Sequence, residues 1–501
     1  MSKYFPDFAG IFCLTLFLIT INTIGHGLFR DGDSFWHIKA GSVMLEEQRL
    51  IDSDVFSHTA YGTPWTAHEW LSEIIMASIH KLAGLEGILC FFLLIISLSF
   101  WLLLKITEKY SNQWVAFGCV SLALAFSPSH MAARPHLFTW LFMLITLGIL
   151  TTGGKRLYWL PVVMVVWTNL HGGFILGLAL QVIFIIGSAV DGLLTFKTPY
   201  QETLRQQKVP ATILLLSLFA IGLNPSGFEL LIFPFQVSKG VFSVLIGEWK
   251  APDLQEMWYF RFYLVALVLL ISSAKSTVTW TERLLIVFFL NAALTHIRHV
   301  SLILIALTPF TARMINDHLG KWSHRELDHQ DEKQLQLSKT TGPLLTAVIA
   351  LTLIISVPIN HRALEFLTPK KIFNVEAEDL NQLVYYLDEN LPTGKMFNEY
   401  SLGGYLLYAL TPPPKVFIDG RADMYGEQIL SDYNKIESSS SEREELLEKY
   451  EIDWVVFQKD SDFISDLKKS GHWQTAYINE HDAILTRISS DLPEGSGNND
   501  N

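Results

Sequence analysis

The sequence predicts an α-helical polytopic membrane protein with about eleven transmembrane helices, followed by a smaller α/β domain at the C-terminal end. Half of the 501 residues are hydrophobic and only 17% are charged, with a mean hydropathy of +0.30. These values fit an integral membrane protein better than a soluble enzyme of this length. After residue 358 the apolar runs become short and alternate with acidic helical segments, a pattern typical of an α/β layer fold.

The predicted spans are apolar runs close to the roughly 20 residues that a helix needs to cross a bilayer. They lie at 8–27, 87–104, 113–128, 136–152, 157–171, 172–190, 210–224, 261–274, 283–297, 299–316 and 341–358. No small-residue cleavage site follows the first run, so we expect a retained anchor. The three cysteines, Cys13, Cys90 and Cys119, all fall inside predicted spans and form neither a disulfide framework nor a CxxC metal pattern.

The chain is expected to have three parts: a transmembrane domain over 1–358, an α/β domain over 359–490 and a disordered tail over 491–501. Charge supports the division. From Ile359 onward there are 26 acidic and 13 basic residues, whereas the rest of the chain holds 23 and 24. No basic face indicates a nucleic-acid partner.

The positive-inside rule sets the orientation of the spans. With a cytoplasmic N-terminus, most basic residues of short loops fall on the cytoplasmic side, and the C-terminal domain lies outside. These basic residues are Lys105, Lys109, Lys155, Arg156, Lys197, Arg205, Lys208, Lys275 and Arg283, together with those of the connector at 313–339.

This orientation places the unusual polar clusters on one face, the outer one. Interfacial tryptophan belts and helix-end turns account for Trp36, Trp65, Trp70 and Trp249. They do not account for His, Arg and carboxylates gathering on the same side, since ionisable residues near a membrane are costly and tend to mark function. The clusters are RDGDSFWH (30–37), TPWTAHEWLSE (63–73), AARPH (132–136), TNLHGG (168–173), LNPSG (223–227), GEWKAPD (247–253) and THIRH (295–299).

The first outer loop, 28–86, is the predicted location of the active site. Helices are expected over 34–47 and from near Glu69 onward. Asp31 and Asp33 flank a glycine, and three interpretations stay open. The pair could bind a divalent cation, combine a general base with a metal-binding carboxylate, or form an Asx-type turn that caps the next helix. His68 and Glu69 add an imidazole and a further carboxylate to the same loop.

Four more residues share the outer face: Arg134, His136, His171 and Arg298. A site that combines acids, imidazoles and guanidinium groups suits transfer from a phosphate leaving group. The acid would deprotonate an acceptor hydroxyl, while a metal ion and arginine would stabilise the departing phosphate.

The strings DGDSFWHIKAG…DSDVFSHTAYGTPWTAHEWLSE, ARPHLFTW, WTNLHGGFILG, LNPSGFELL and FIDGRADMYG resemble the C-type superfamily of integral-membrane glycosyltransferases, and more narrowly a bacterial branch of it. The resemblance implies a GT-C-like fold and makes Asp31 the catalytic or metal-binding acid, with Asp33 as its partner. His68 and Glu69 stand where relatives place further acidic residues. Asp33 and Glu69 would bind Mg²⁺ or Mn²⁺. Because this second element is HE rather than two carboxylates, a metal-free mechanism with Asp31 as base stays open.

The same resemblance implies the partners and the location. The donor would be a polyprenyl-phosphate-linked sugar. We expect Arg134, His136, His171 and Arg298, which the topology places on the outer face, to bind it. The acceptor would be an envelope glycan, lipid or protein on the outer face of the bacterial cytoplasmic (inner) membrane. Two other classes stay open: a transporter or flippase for lipid-linked intermediates, and a non-catalytic scaffold for envelope assembly. The hydropathy shows no inverted repeat and no charges at span centres, which disfavours the transporter.

Two motifs of the C-terminal domain, FNEYSLGGYL and FIDGRADMYG, each place polar residues at the predicted carboxyl end of a strand. Open α/β sheets tend to bind ligands there. Asp419 and Arg421 are either a structural ion pair or part of a ligand site. We expect this domain to recognise the acceptor or glycan, or to pack over the opening of the active site.

Overall fold

The computed structural model describes residues 8–23, 27–233, 247–274, 277–319, 371–373, 375–438 and 441–488. The chain divides into two compact units, each assembled from three segments. Unit 1 comprises Met1–Phe29, Ala40–Leu50 and Thr66–Pro369; unit 2 comprises Arg30–Lys39, Ile51–Trp65 and Lys370–Asn501. The first loop therefore contributes to both units. The predicted last span, the predicted boundary at 358/359 and the predicted tail lie outside the described residues.

Unit 1 is helical. Each of the ten predicted apolar runs in the described part of the chain contains one helix, and the helix predicted over 34–47 is also present. The helices are α1 (Phe8–Thr23), α2 (Asp33–Glu47, whose residues up to Lys39 belong to unit 2), α3 (Trp70–Thr107), α4 (Gln113–Ala125), α5 (His136–Thr152), α6 (Leu160–Leu170), α7 (Ile175–Val190), α8 (Tyr200–Ile221), α9 (Trp258–Ser272), α10 (Trp280–Thr295) and α11 (Val300–Leu319).

Within the described residues, three helical segments are long and apolar enough to cross a membrane: Trp70–Thr107, Gly172–Thr195 and Ile297–Leu319. The same part of the chain contains four shorter apolar helices, Phe8–Leu18, Gln113–Ala125, His136–Thr152 and Trp258–Ser272. These helices are those of a membrane protein, whereas about eleven spans stays a prediction.

Helix α11 forms the centre of unit 1. It packs against α3, α4, α5, α9 and α10. Every residue from Val300 to Ala312 is buried. Fully burying a large apolar side chain contributes roughly 1.5–3 kcal/mol, so this helix supplies much of the packing that holds the others.

Local signals explain where the helices around the site begin and end. Asn112 caps α4, because its side-chain oxygen accepts the N–H groups of Trp114 and Val115, both at 3.0 Å. Pro161 occupies the first turn of α6, where its missing N–H is not needed. Gly84 has φ of 64° and kinks α3.

Unit 2 is built on a four-stranded mixed sheet of order β3-β4-β6-β5, in which only β3 and β4 are parallel. Phe397 of β3 stacks on Phe457 of β4 and on Tyr433. The strands and helices are β1 (Lys371–Ile372), β2 (Val375–Glu376), α12 (Ala377–Glu389), β3 (Lys395–Asn398), α13 (Tyr400–Ala409), α14 (Ala422–Ser438), α15 (Arg443–Lys449), β4 (Ile452–Gln458), α16 (Asp462–Ser470), β5 (Trp473–Ile478) and β6 (Asp482–Arg487).

The prediction of a strand in KVFIDGR is wrong. Val416 makes a single parallel bridge to Ser57, and the segment joins no described sheet. Three prolines precede it at 412–414, and proline cannot donate to a ladder. The Asn398 side chain takes the place of a neighbouring strand. Its Oδ1 accepts the Phe417 N–H at 2.9 Å, and its Nδ2 donates to the Ile418 carbonyl at 2.9 Å.

A buried ion cluster joins distant segments of unit 2. Arg421 Nη1 donates to Asp54 Oδ1 at 2.7 Å, and its Nη2 and Nε donate to the two Asp419 oxygens at 2.6 and 2.8 Å. The side chains of Arg421, Asp54 and Asp419 are all 0% exposed. Asp419 and Arg421 are therefore an ion pair, one of the two alternatives left open by the sequence.

We predict that Arg421→Met lowers the free energy of unfolding by about 3–5 kcal/mol, because two buried carboxylates lose their counter-ion. Thermal unfolding of the full chain in lipid nanodiscs, followed by intrinsic fluorescence and by proteolysis of unit 2, measures the change. Lys435→Met is the control, since its pair with Glu442 is exposed and surface pairs contribute at most about 1 kcal/mol. Equal losses in the two variants would contradict the assignment.

Candidate functional site

A carboxylate between two imidazoles forms the centre of the site in unit 1. Glu69 Oε1 lies 3.3 Å from His171 Nε2 and 3.6 Å from His68 Nε2. Glu69 is buried, with 8% of its surface exposed. It immediately precedes α3, and His171 follows the last residue of α6. The first loop and the TNLHGG motif therefore meet, as the sequence predicted.

A chain of hydrogen bonds sets the tautomer of His171. The Gly173 N–H donates to His171 Nδ1 at 2.9 Å, and Thr139 Oγ1 lies 2.7 Å from the same atom. Thr139 Oγ1 in turn accepts the Trp167 Nε1–H at 3.2 Å. Because Nδ1 is an acceptor, the proton of the neutral ring is on Nε2, which faces Glu69. The protonated Nε2 of His171 therefore faces the Glu69 carboxylate, 3.3 Å from its Oε1.

Asn169 connects three helix ends around this pair. Its Oδ1 accepts Trp70 Nε1 at 2.8 Å and Asn224 Nδ2 at 3.1 Å. Ser72 Oγ donates to the Leu170 carbonyl. The beginning of α3, the end of α6 and the turn after α8 are thus held by buried polar contacts, which orient the site from three helices.

Two arginines accompany the carboxylate–imidazole pair. Arg134 Nη1 donates to Glu248 Oε1 at 3.2 Å, and the Arg298 guanidinium lies 4.5 Å from the centre of the Trp249 ring. The Arg134 guanidinium, with a further contribution from Arg298, lowers the pKa of the Glu248 carboxyl to about 2. Glu248 is therefore ionised at neutral pH and pairs with Arg134.

All six sequence-predicted residues of unit 1 converge. His171 interacts electrostatically with Glu69, Arg298, His68 and Arg134, so these four side chains lie near its ring. His136 lies within the same range of Arg134 and His171. It donates Nε2–H to the His130 carbonyl at 2.6 Å, which ties the loop before α5 to the helix.

Asp31 and Asp33 belong to unit 2. The N–H of Asp33 donates to Asp31 Oδ1 at 3.0 Å, and Trp36 Nε1 donates to Asp33 Oδ1 at 3.0 Å. Asp33 is the first residue of α2. The contact between the two aspartates is an Asx-type turn at a helix start, one of the three interpretations considered. Their catalytic roles stay predictions.

Two glycines bring the DGD motif close to the two C-terminal motifs within unit 2. A Cβ at Gly32 would overlap the Ser401 carbonyl of FNEYSLGGYL, and a Cβ at Gly420 of FIDGR would overlap Asp33 Oδ1. Only glycine permits such a close approach of backbone. The DGD motif and the two C-terminal motifs, which lie more than 360 residues later in the sequence, thus form one packed region.

The predicted metal site has no support from geometry. Within the part of the chain that the structure describes, no group of three or more His, Cys, Asp and Glu side chains could hold a metal ion. Asp33 and Glu69, the predicted ligands, belong to different units. Use of Mg²⁺ or Mn²⁺ stays a prediction.

Sequence reasoning missed several residues that build the site: Glu248, Thr139, Asn169 and Asn224. Glu248 and the two asparagines lie in motifs that the sequence assigns to the outer face. Their side of the membrane could therefore be predicted, whereas their contacts could not. Thr139 carried no signal, because a threonine inside an apolar run is indistinguishable from a packing residue.

Three solved structures from Archaeoglobus fulgidus have a similar fold. The oligosaccharyltransferase tethered to an acceptor peptide containing the NVT sequon has a TM-score of 0.52 and 11% identity, over 96% of this chain and 74% of that one. The oligosaccharyltransferase AglB in complex with an inhibitory peptide and a dolichol-phosphate has a TM-score of 0.51 and 10% identity, over 96% and 75%. The apo form has a TM-score of 0.50 at 10% identity, over 96% and 75%.

This chain has an oligosaccharyltransferase-like fold. At such low identity the likeness concerns the fold alone, and it confirms the expected GT-C-like fold. No protein-family model and no characterised relative matches the sequence. The bacterial branch stays a prediction.

We predict that Thr139→Val destabilises the protein by about 1–3 kcal/mol, because the buried Trp167 N–H loses its acceptor. Thermal unfolding in nanodiscs measures the loss. Thr146→Val is the matched control on the same helix, since Thr146 Oγ1 is buried without a described hydrogen-bond partner; this variant should be neutral or stabilised. A Thr139→Val protein as stable as the control would refute the hydrogen-bond chain to His171.

Proposed function

We propose that this chain is an integral-membrane glycosyltransferase. It moves a sugar from a polyprenyl-phosphate carrier to an envelope glycan, lipid or protein on the outer face of the bacterial cytoplasmic membrane. The convergence of Glu69, His171, Arg134 and Arg298 in one cluster of unit 1 carries the proposal. Fold neighbours solved with a dolichol-phosphate or a tethered acceptor peptide support substrates of these two classes.

The arginines suit the leaving group. When a glycosyl–phosphate bond breaks, the carrier phosphate gains negative charge. A guanidinium stabilises that charge with N–H donors whose fork matches phosphate oxygens. Trp249 holds Arg298 through its ring face, and Glu248 holds Arg134. Both cations are therefore positioned before substrate binds, so little reorganisation is needed when the bond breaks.

Glu69 suits the proton transfer. His171 Nδ1 already accepts hydrogen bonds and its Nε2–H faces Glu69, so the imidazole orients the carboxylate instead of accepting a proton itself. We assign Glu69 as the group that accepts the proton of the acceptor nucleophile, with His171 as its positioning residue. Asp31 is the alternative base implied by the family resemblance.

We predict that Glu69→Gln lowers turnover by about 10²–10⁴-fold, as expected for loss of a general base, and that Arg298→Ala lowers it by about 10²–10³-fold. Compositional analysis of the envelope glycans and glycoproteins of a deletion strain first identifies the missing sugar. Transfer from the lipid-linked donor in membranes then gives the rates.

Exposed residues of unit 1 supply the controls: Glu256→Gln and Arg261→Ala should leave turnover unchanged.

Asp31→Asn decides between the two bases, since only loss of the true base removes the acidic limb of the pH profile. Chelation in the same assay tests the predicted metal ion. Wild-type turnover in Glu69→Gln would reject Glu69 as the base. Lipid translocation without sugar transfer would favour the flippase.

The outer location gives a further prediction, tested with single cysteines in a chain whose Cys13, Cys90 and Cys119 are replaced by Ala. Tyr61→Cys and Tyr385→Cys should react with an impermeant maleimide in intact cells. Lys155→Cys, in a predicted cytoplasmic loop, should react only after permeabilisation. All three side chains are exposed, so labelling reports the side of the membrane and not burial. Labelling of Lys155→Cys in intact cells would contradict the topology.

A further inference from the structure

A small polar pocket lies within unit 2, at the carboxyl end of β3. Its volume is about 120 Å³. Glu399 directly follows β3, Gln458 ends the parallel strand β4, and Asp482 begins β6. The carboxyl ends of parallel strands are where open α/β sheets bind ligands. The polar side chains that line the pocket are Arg30, Glu399, Ser401, Gln458, His481 and Asp482.

Asp482 is the unusual member of this group. It is 1% exposed, and its Oδ1 lies 2.9 Å from His481 Nδ1. Its Oδ2 is buried and has no hydrogen-bond partner among the described residues. Leaving a buried carboxylate oxygen without a donor is unfavourable. The pocket therefore lacks a donor that a bound molecule would supply.

Glu399 adds a second acid beside Asp482. Gln458 Nε2 donates to Glu399 Oε1 at 3.2 Å. Burial, with a further contribution from Asp482, raises the pKa of Glu399 to about 7. Burial likewise raises the pKa of Asp482. Both carboxyls are thus largely excluded from water, and hydrogen bonds from a ligand are strong in such surroundings.

The mixture of groups indicates which ligand fits. Two acids are accompanied by a guanidinium and an imidazole, so no strong net charge favours an ion. Gln458, Ser401 and Arg30 supply donors, whereas the carboxyls supply acceptors. Hydroxyl groups both donate and accept, so neighbouring hydroxyls on one molecule match this lining. The volume is below the roughly 300–1,000 Å³ of pockets that enclose drug-sized ligands, which limits the occupant to one sugar ring.

We propose that this pocket binds one neutral sugar residue, whose hydroxyls donate to Asp482 Oδ2 and to Glu399. The choice of a glycan as the natural ligand depends on the function proposed above. Binding itself does not depend on turnover, because none of the pocket residues belongs to the cluster around Glu69.

The test measures binding of single sugars to the full-length chain in lipid nanodiscs, since many detergents carry sugar head groups. Methyl glycosides of glucose, galactose, mannose and N-acetylglucosamine are added at millimolar concentration, and saturation-transfer NMR detects contact. At least one should bind. Glu399→Gln and Asp482→Asn should each weaken it 10-fold or more, and Gln458→Ala should weaken it to a smaller extent.

Glu389→Gln is the matched control, an exposed acid that hydrogen-bonds Tyr385 and lies outside the pocket; it should bind as the wild type does. Absence of binding by every glycoside, or binding unchanged in both pocket variants, overturns the proposal. Binding of glucosamine or Mg²⁺ without any neutral glycoside also overturns it, because the occupant would then be a cation. Loss of turnover in Glu69→Gln with sugar binding intact separates this site from the proposed function.

Stability against pH gives a second readout that needs no ligand. Glu399 faces Asp482, His481 and Glu437 and shares the pocket with Arg30. A carboxyl whose pKa is raised on folding stabilises the protein fully below its ordinary value near 4.5 and loses that stabilisation as pH rises through about 7. Glu399→Gln should therefore raise Tm by about 2–4 °C at pH 8 and by less at pH 5. An equal Tm difference at both pH values would show that Glu399 is not buried beside Asp482, and the pocket as described would be absent.

Discussion

Unit 2 depends on the buried ion pairs that the Arg421 guanidinium makes with two aspartates. The guanidinium is completely buried between Asp54 of the first loop and Asp419 of the C-terminal region. A lone buried charge would be strongly unfavourable, and so would either carboxylate alone. The three groups therefore stabilise the fold only together, which makes the 51–65 segment an integral part of unit 2. The DGD turn packs on the same unit through Gly32 and Gly420.

A different constraint shapes unit 1. Long apolar helices satisfy their own backbone groups, as a hydrocarbon surrounding requires, so side-chain chemistry moves to the helix ends. There the Trp167–Thr139–His171–Glu69 chain gives each polar group a partner. Because each member orients the next, the carboxylate at the end is held between His171 and His68. An oligosaccharyltransferase-like fold with such helix ends offers a rigid frame for chemistry in loops.

Sequence patterns predicted much of unit 1 because hydrophobic run length depends only on local composition. Ten helices of the described residues follow from it, and the positive-inside rule assigned the histidines and arginines to one face. Contacts over long sequence distances were not predictable. The pattern KVFIDGR predicts a strand, yet in the structure its backbone hydrogen-bonds to the Asn398 side chain instead of to a neighbouring strand. Asp482 follows a histidine in an ordinary hairpin, and only the folded chain shows that one of its oxygens lacks a donor. The division of the first loop between units had no local signal either.

The pairing of Asp54 with Arg421 also has a consequence for biosynthesis. The two residues are separated by 367 positions, which a ribosome adding about 5–20 residues per second traverses in roughly 20–70 s. During that interval the first loop has left the ribosome while the guanidinium that neutralises its aspartate does not yet exist. The 51–65 segment therefore cannot complete its packing in unit 2 until residue 421 has been synthesised, and a chain truncated before residue 421 cannot complete this domain.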